Sequence, residues 1–333
     1  MPANDKDETT VLRPIHLVCL VSITMIAMAS NSILSRAGIA DFLMDPLAFA
    51  GVRLASGAVT LSVIVLLRGG RGRTGSPPLP HASPSEDYPS PKTRVLTASF
   101  LLIYLIPFSM AYLTLPSGLG ALVLFGIVQI TMFAASALEG KKPNPRQWSG
   151  MLLAMTGLVW ILWPKENFDL DYVGVGFMVL SGVGWGGFCV RGRGSKSSLY
   201  DMTVSFVLCL PVAIVLMAFG KTEGYGWSQS GTLAACVAGS FTSGLGYALW
   251  YFLLPSIPTT VAAITQLSVP PIAMGMGAVA LGEEVTLEVV LGSVVVLGGI
   301  GLSVEHKWGS GGSAKEGIPI TIYDAGTNGE GDL

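Results

Sequence analysis

The chain is 333 residues long, 51% hydrophobic and only 12% charged, with a mean hydropathy of +0.61. That charged share is about half the usual share for a soluble domain, which excludes an ordinary soluble enzyme and a disordered chain. The formal net charge of −2 leaves no basic footprint for nucleic acid.

Apolar runs follow one another along the chain, and ten of them suit membrane helices of about 20 residues. The segment 1–14 precedes the first run, 15–35. Its acids Asp5, Asp7 and Glu8 outnumber Lys6 and Arg13, which opposes a signal peptide even though Ala27 and Ala29 form an A-x-A pattern. The run is read as a retained helix. Asn31 lies late in it between Ser30 and Ser32, either as a cavity donor or as a helix-packing bond. The second run, 46–67, holds Arg53, the charged side chain set well inside a span. It lies roughly 12 Å along the helix from Asp45. Arg53 either binds an anionic group such as a substrate carboxylate, or snorkels to the interface, or pairs with Asp45, Glu283 or Glu284. Residues 68–94 carry six prolines and read as an extended or flexible loop.

The third and fourth runs are 95–114 and 118–138, the latter with Gln129 at mid-span. The fifth, 147–163, is flanked by Trp148 and Trp163, which read as interface anchors. The sixth, 172–190, holds Trp185 and a GxGxxG match at Gly182, Gly184 and Gly187. No strand precedes this match, so the useful pattern is the GxxxG of Gly182 and Gly186, a close-packing motif. The seventh and eighth runs are 202–219 and 231–254. Tyr247 and Trp250 stand three apart in the eighth and share a helix face. With Trp185, Tyr104 and Tyr112 they either line an aromatic cavity or serve as ordinary packing. The ninth run, 259–281, contains Gln266. An amide there or at Gln129 suits a zwitterion or sugar, or glues helices together. Pro270 and Pro271 interrupt the same run, freeing carbonyls for substrate or gating, or making a static kink. The tenth run is 286–304, and 305–333 reads as a disordered cytoplasmic tail.

Backbone polar groups must be satisfied within lipid, so the runs are expected as helices. The fold class is therefore an all-α membrane protein. With the N-terminus inside, fifteen Lys and Arg fall on the cytoplasmic side against three outside. This bias predicts that both termini are cytoplasmic. The halves also echo each other. Gly150 and Gly157 recur as Gly292 and Gly299, both offset by 142 residues. Each repeat has five helices, an odd number, so the second must be inverted, an arrangement used by transporters with a midplane site. The expected units are a first repeat at 15–163 and a second at 172–304.

The four cysteines (Cys19, Cys189, Cys209 and Cys236) form no CxxC pair, and His16, His81 and His306 have no partners at metal spacing. No metal site, cofactor, nucleotide loop or catalytic grouping is expected. The acids all fall in loops, tails or span ends. That argues against a single intramembrane glutamate driving proton antiport and favours a facilitator or exchanger.

Several stretches together resemble the EamA-type branch of the drug/metabolite transporter superfamily, over about residues 15–305. They are Ser30 to Arg36 with Asp45-Pro46 and Arg53 to Gly57, then Gly120-Ala121-Leu122 through Gln129 with Trp148 to Gly150. Gly246 to Tyr251, Gln266 to Pro270, Leu281-Gly282-Glu283 and Gly298-Gly299 complete the set. The resemblance implies ten transmembrane helices as two inverted five-helix repeats, a central cavity, and export or exchange of small metabolites. Many relatives carry a proline in the fourth helix to match the ninth, and this chain has none between Gly118 and Leu138. The expected function is secondary transport of an amino-acid-like metabolite across the plasma (inner) membrane. A drug or lipid-like carrier and a non-transporting scaffold or sensor are the alternatives. The expected partners are a small molecule and the bilayer, with monomer and homodimer both open.

Overall fold

The computed structural model describes residues 14–71, 90–138, 144–163, 170–192, 198–253 and 265–303. Residues 1–13, most of the 68–94 loop and the 305–333 tail lie outside the described residues. Among the described residues there is no strand. A lone bridge pairs Met44 with Gly226.

Twelve α-helices are described in chain order. They are α1 (Pro14–Arg36), α2 (Pro46–Arg71), α3 (Pro91–Ala111), α4 (Ser117–Leu138), α5 (Pro145–Leu162) and α6 (Tyr172–Gly192). They continue as α7 (Ser198–Leu208), α8 (Leu210–Phe219), α9 (Gln229–Val237), α10 (Gly246–Leu253), α11 (Val269–Leu281) and α12 (Leu287–Ser303). Wider π-helical turns extend α1 through Ala37–Asp41 and join α9 to α10 through Ala238–Leu245. Six described segments are long and apolar enough to cross a membrane: Ile15–Asp41, Pro46–Leu67, Pro91–Ala111, Ser117–Ala135, Tyr172–Arg191 and Gln229–Trp250. A seventh, Leu199–Leu208 with Leu210–Phe219, is bent by 41°. Pro211 stands in the first turn of α8, where its missing N–H breaks the ladder. Val269–Leu281 and Leu287–Leu302 are shorter apolar helices.

The outer surface is apolar. Val279 is 90% exposed and Leu287 72%, and Val59, Leu66, Val173 and Ile214 face outward with them. Polar side chains such as Asn31, Arg53, Ser181 and Ser243 are buried. This is the reverse of a soluble fold and suits a hydrocarbon solvent.

Small residues set the helix spacing. A methyl on Gly182 would meet Ile127 at 2.7 Å, and one on Gly186 would meet Thr131 at 2.7 Å, so the GxxxG face seats α6 on α4. Gly184 and Gly187 grip the other side, against Tyr104 and Phe100 of α3. The 142-offset glycines meet across one interface. Gly157 packs on Val296, Gly299 on Ala154, and Gly292 on Ile161. The partner number falls as the other rises, so α5 and α12 run antiparallel. Gly157 and Ala154, moved by the same 142 residues, become Gly299 and Val296. The Gly157–Val296 and Gly299–Ala154 contacts are thus exchanged by that offset.

Helix ends are tied down by side chains. Ser90 caps α3 by accepting from Thr93 N–H at 3.3 Å, and Pro91 takes the first helical position it favours. The expected loop 68–94 is therefore shortened at both ends, by α2 reaching Arg71 and α3 starting at Pro91. Asp45 accepts from Leu47 and Ala48 N–H at 2.9 Å each, and from Thr222 N–H at 2.6 Å. Arg36 donates to the Tyr112 and Leu113 carbonyls at 3.1 and 2.9 Å, a cation set at the C-terminus of α3. Glu283 accepts from Ser117 N–H at 2.7 Å and Ser117 Oγ–H at 2.6 Å. Gly282 precedes it at φ 66°, a left-handed turn that glycine adopts without steric cost.

Candidate functional site

A narrow cavity lies between α1, α3, α4, α6, α10 and the residues just before α11. Its wall includes Met28, Asn31, Ser32, Tyr104, Phe108, Leu124, Phe125, Trp185, Tyr247 and Gln266. Of the residues singled out in the sequence, Asn31, Tyr104, Trp185, Tyr247 and Gln266 are on this wall. Gln129 and Trp250 are not: Gln129 is half-buried on α4, and Trp250 is buried on α10. Arg53 stands directly behind the wall.

Arg53 is 0% exposed. Its side chain does not snorkel to an interface. The three acids weighed as partners do not meet it either. Asp45 and Glu283 are engaged with amides and a hydroxyl, and among the described residues Arg53 has no ion pair with Glu284 or any other acid. Instead its Nη2 donates to the Tyr104 hydroxyl at 2.8 Å and its Nε to Ser243 Oγ at 3.2 Å. Its Nη1 has no hydrogen-bond partner among the described residues. The guanidinium carbon lies 4.8 Å from the Phe108 ring centroid and 5.4 Å from that of Tyr104. Such ring contacts each return about 0.5–2 kcal/mol. Burying an unpaired ion costs several kcal/mol after relaxation, so the rings offset only part of it.

Tyr104 is the centre of the cluster. Its oxygen also receives Asn31 Nδ2–H at 3.2 Å and lies 3.2 Å from the Tyr247 hydroxyl. Asn31 is oriented in turn by Thr242, whose hydroxyl proton is shared between Asn31 Oδ1 at 3.1 Å and the Ala238 carbonyl at 2.6 Å. The Tyr104 backbone is clamped by Ser181 Oγ–H donating to its carbonyl at 2.9 Å. The Trp185 ring centroid lies 4.9 Å from both Tyr104 and Tyr247, so three aromatic faces bound one side.

Local backbone features place these groups. The π-helical turn Ala238–Leu245 delivers Thr242 and Ser243 toward α1 and α2. Gly239 lies against the Arg53 carbonyl, where any side chain would collide. Pro107 sits inside α3, one turn beyond Tyr104, and frees the Ile103 carbonyl by lacking an N–H. Helix is described at Thr265 and Gln266, Leu267 and Ser268 form a turn, and Pro270 and Pro271 occupy the first turn of α11. The described part of the ninth run is therefore broken immediately before the two prolines, which cannot donate back to the Gln266 and Leu267 carbonyls. Sequence reasoning gave Tyr104 a lesser place and passed over Phe108, Thr242, Ser243 and Pro107. A proline in an apolar run was the available signal for the last. The hydroxyls had none, because Ser and Thr are common in apolar helices.

The sequence profile described as the EamA-like transporter family matches twice, at residues 16–163 and 172–304. The uncharacterized protein PA1977 of Pseudomonas aeruginosa is 35% identical, over 90% of this chain and 97% of its own. The uncharacterized transporter YoaV of Bacillus subtilis is 21% identical, over 84% of this chain and 94% of its own. A crystal structure 15% identical in sequence superposes with a TM-score of 0.58, covering 87% of this chain and 98% of that one, a likeness in fold alone.

Proposed function

The chain belongs to the EamA-like transporter family of the drug/metabolite transporter superfamily, and from that premise we propose that it exports or exchanges a small amino-acid-like metabolite. It is a multi-pass membrane protein. We read it as ten membrane helices in two inverted five-helix repeats, at about 15–163 and 172–304. The tandem family match and the reciprocal, antiparallel contact of α5 with α12 support that reading. The lysine and arginine bias supports a plasma (inner) membrane protein with both termini in the cytoplasm.

The observation that carries the substrate reading is the wall of the cavity. It draws Asn31 and Tyr104 from the first half and Trp185, Tyr247 and Gln266 from the second. Beside the apolar Met28, Phe108, Leu124 and Phe125, the wall carries hydrogen-bonding groups on Asn31, Ser32, Tyr104, Tyr247 and Gln266, partners that a small polar molecule can use. A site shared by both halves can open to either side when the halves rock, giving alternating access. With no carboxylate among the described residues of the wall, we read exchange or facilitated flow as the mode.

The test is counterflow in proteoliposomes loaded with a mixed amino-acid pool and no ion gradient. One externally labelled amino acid should accumulate against its concentration. Absence of accumulation for every label, in liposomes containing folded protein, would overturn the amino-acid reading.

A further inference from the structure

We propose that the Tyr104 hydroxyl occupies a carboxylate hole, and that a ligand's carboxylate displaces it to bind Arg53 and Asn31. For what crosses the membrane this rests on the transport reading above, whereas binding itself can be tested apart from it.

The argument starts from the number of donors. Arg53 Nη2–H and Asn31 Nδ2–H both point at the Tyr104 oxygen, at 2.8 and 3.2 Å. A phenol oxygen has two acceptor sites and one proton. Both acceptor sites are filled, so the proton of Tyr104 goes to the Tyr247 oxygen at 3.2 Å. A neutral oxygen held by a guanidinium and an amide is a weak occupant of that place. Bonds from a guanidinium to a carboxylate are roughly twice as strong as neutral ones.

The fork is also half empty. Nε is committed to Ser243, Nη2 to Tyr104, and Nη1 to nothing among the described residues. A carboxylate has two oxygens. One takes the place of the Tyr104 hydroxyl, accepting from Nη2 and Asn31. The other accepts from Nη1. This end-on bidentate pairing is what a guanidinium favours. Tyr104 and Phe108 both line the wall and both lie against the guanidinium, and the Tyr104 hydroxyl is the wall group that Arg53 holds, so its ring acts as the door of the hole. The ligand class is a small monocarboxylate, free or as the acid end of an amino acid.

The experiment uses the full chain in detergent, with thermal unfolding as the binding readout. Acetate, propanoate and 4-methylpentanoate are each compared with the corresponding amide. At least one acid should raise the midpoint, with an affinity about tenfold above that of its amide. Tyr104→Phe removes the competing hydroxyl and should tighten the acid several-fold. Asn31→Asp places an internal carboxylate beside the guanidinium and should abolish acid binding while raising the ligand-free midpoint. Arg53→Gln should abolish acid binding, and Asn31→Asp keeps the test open if that variant does not fold. Equal binding of acid and amide, no binding of any acid, or weaker acid binding by Tyr104→Phe would each overturn the proposal. Counterflow without acid binding sinks the hole and leaves transport standing. Acid binding without counterflow of any amino acid does the reverse.

Discussion

The Nη2 of Arg53 lies 2.8 Å from the hydroxyl oxygen of Tyr104, so a fully buried cation in an apolar helix bundle is answered by a neutral phenol. A stability role alone would call for a carboxylate. Arg53→Met, similar in volume and uncharged, should therefore leave the thermal midpoint unchanged or raise stability by up to about 2 kcal/mol, because it removes an unpaired buried ion. Counterflow of the substrate should fall to background. A variant that unfolds the protein would mark Arg53 as a structural residue.

The contact of α5 with α12 predicts paired effects. Gly157→Ala and Gly299→Ala each push a methyl into the facing helix, and each should cost about 1–3 kcal/mol. Because the two sites are reciprocal, their costs should be similar. A large cost at one site and none at the other, measured by thermal unfolding, would count against the proposed inverted repeat.

Glu283 joins the end of α11 to the start of α4 through two short hydrogen bonds from Ser117. Glu283→Gln keeps the shape but leaves one acceptor where two are needed, so it should cost about 1–2 kcal/mol. Gly277→Ala crowds the same carboxylate and should cost a similar amount without touching the charge. A double mutant should lose little beyond either single change, since both break one contact.

Acid titration should reveal a contact outside the membrane. The Thr114 hydroxyl donates to Asp171 at 2.7 Å and, with the amides of Val173 and Gly174, holds its carboxyl below the ordinary 3.8. The folded state thus favours the ionised form. Its contribution is complete above 3.8 and fades as pH falls from there through the lower folded value. The midpoint difference between wild type and Asp171→Asn should shrink as pH drops below 3.8, and an unchanging difference would show that the contact does not bias ionisation.

Orientation can be read with a membrane-impermeant maleimide on intact cells. In a background lacking the four cysteines, Lys221→Cys should label from outside and Lys92→Cys only after permeabilisation. The opposite pattern would invert the protein.

Much of the helical plan was legible because apolar length is a one-dimensional signal. The 142-residue glycine echo was equally visible and marks a real interface. The centre of the site was harder. Tyr104 and Arg53 are 51 residues apart, and Ser243 lies a further 139 on, so their meeting depends on helix packing that no local pattern encodes. Gln129 and Gln266 looked alike in sequence, yet only the second reaches the cavity wall. The π-helical turn that aims Thr242 and Ser243 carries no residue signature. Pro270 and Pro271 were visible, and the described run does break at the turn just before them, with the prolines opening the helix that follows.

The unneutralised charge of Arg53 has an electrical consequence. In a carrier whose hole holds no ligand, the reorienting site bears one positive charge, while a bound free monocarboxylate, with no ammonium of its own, makes it neutral. The membrane voltage acts on the first at about 2.3 kcal/mol per 100 mV for a charge crossing the whole field, and not on the second. Exchange of one monocarboxylate for another would then run at a rate blind to voltage. Net flow, which returns the empty site once per cycle, would draw a current.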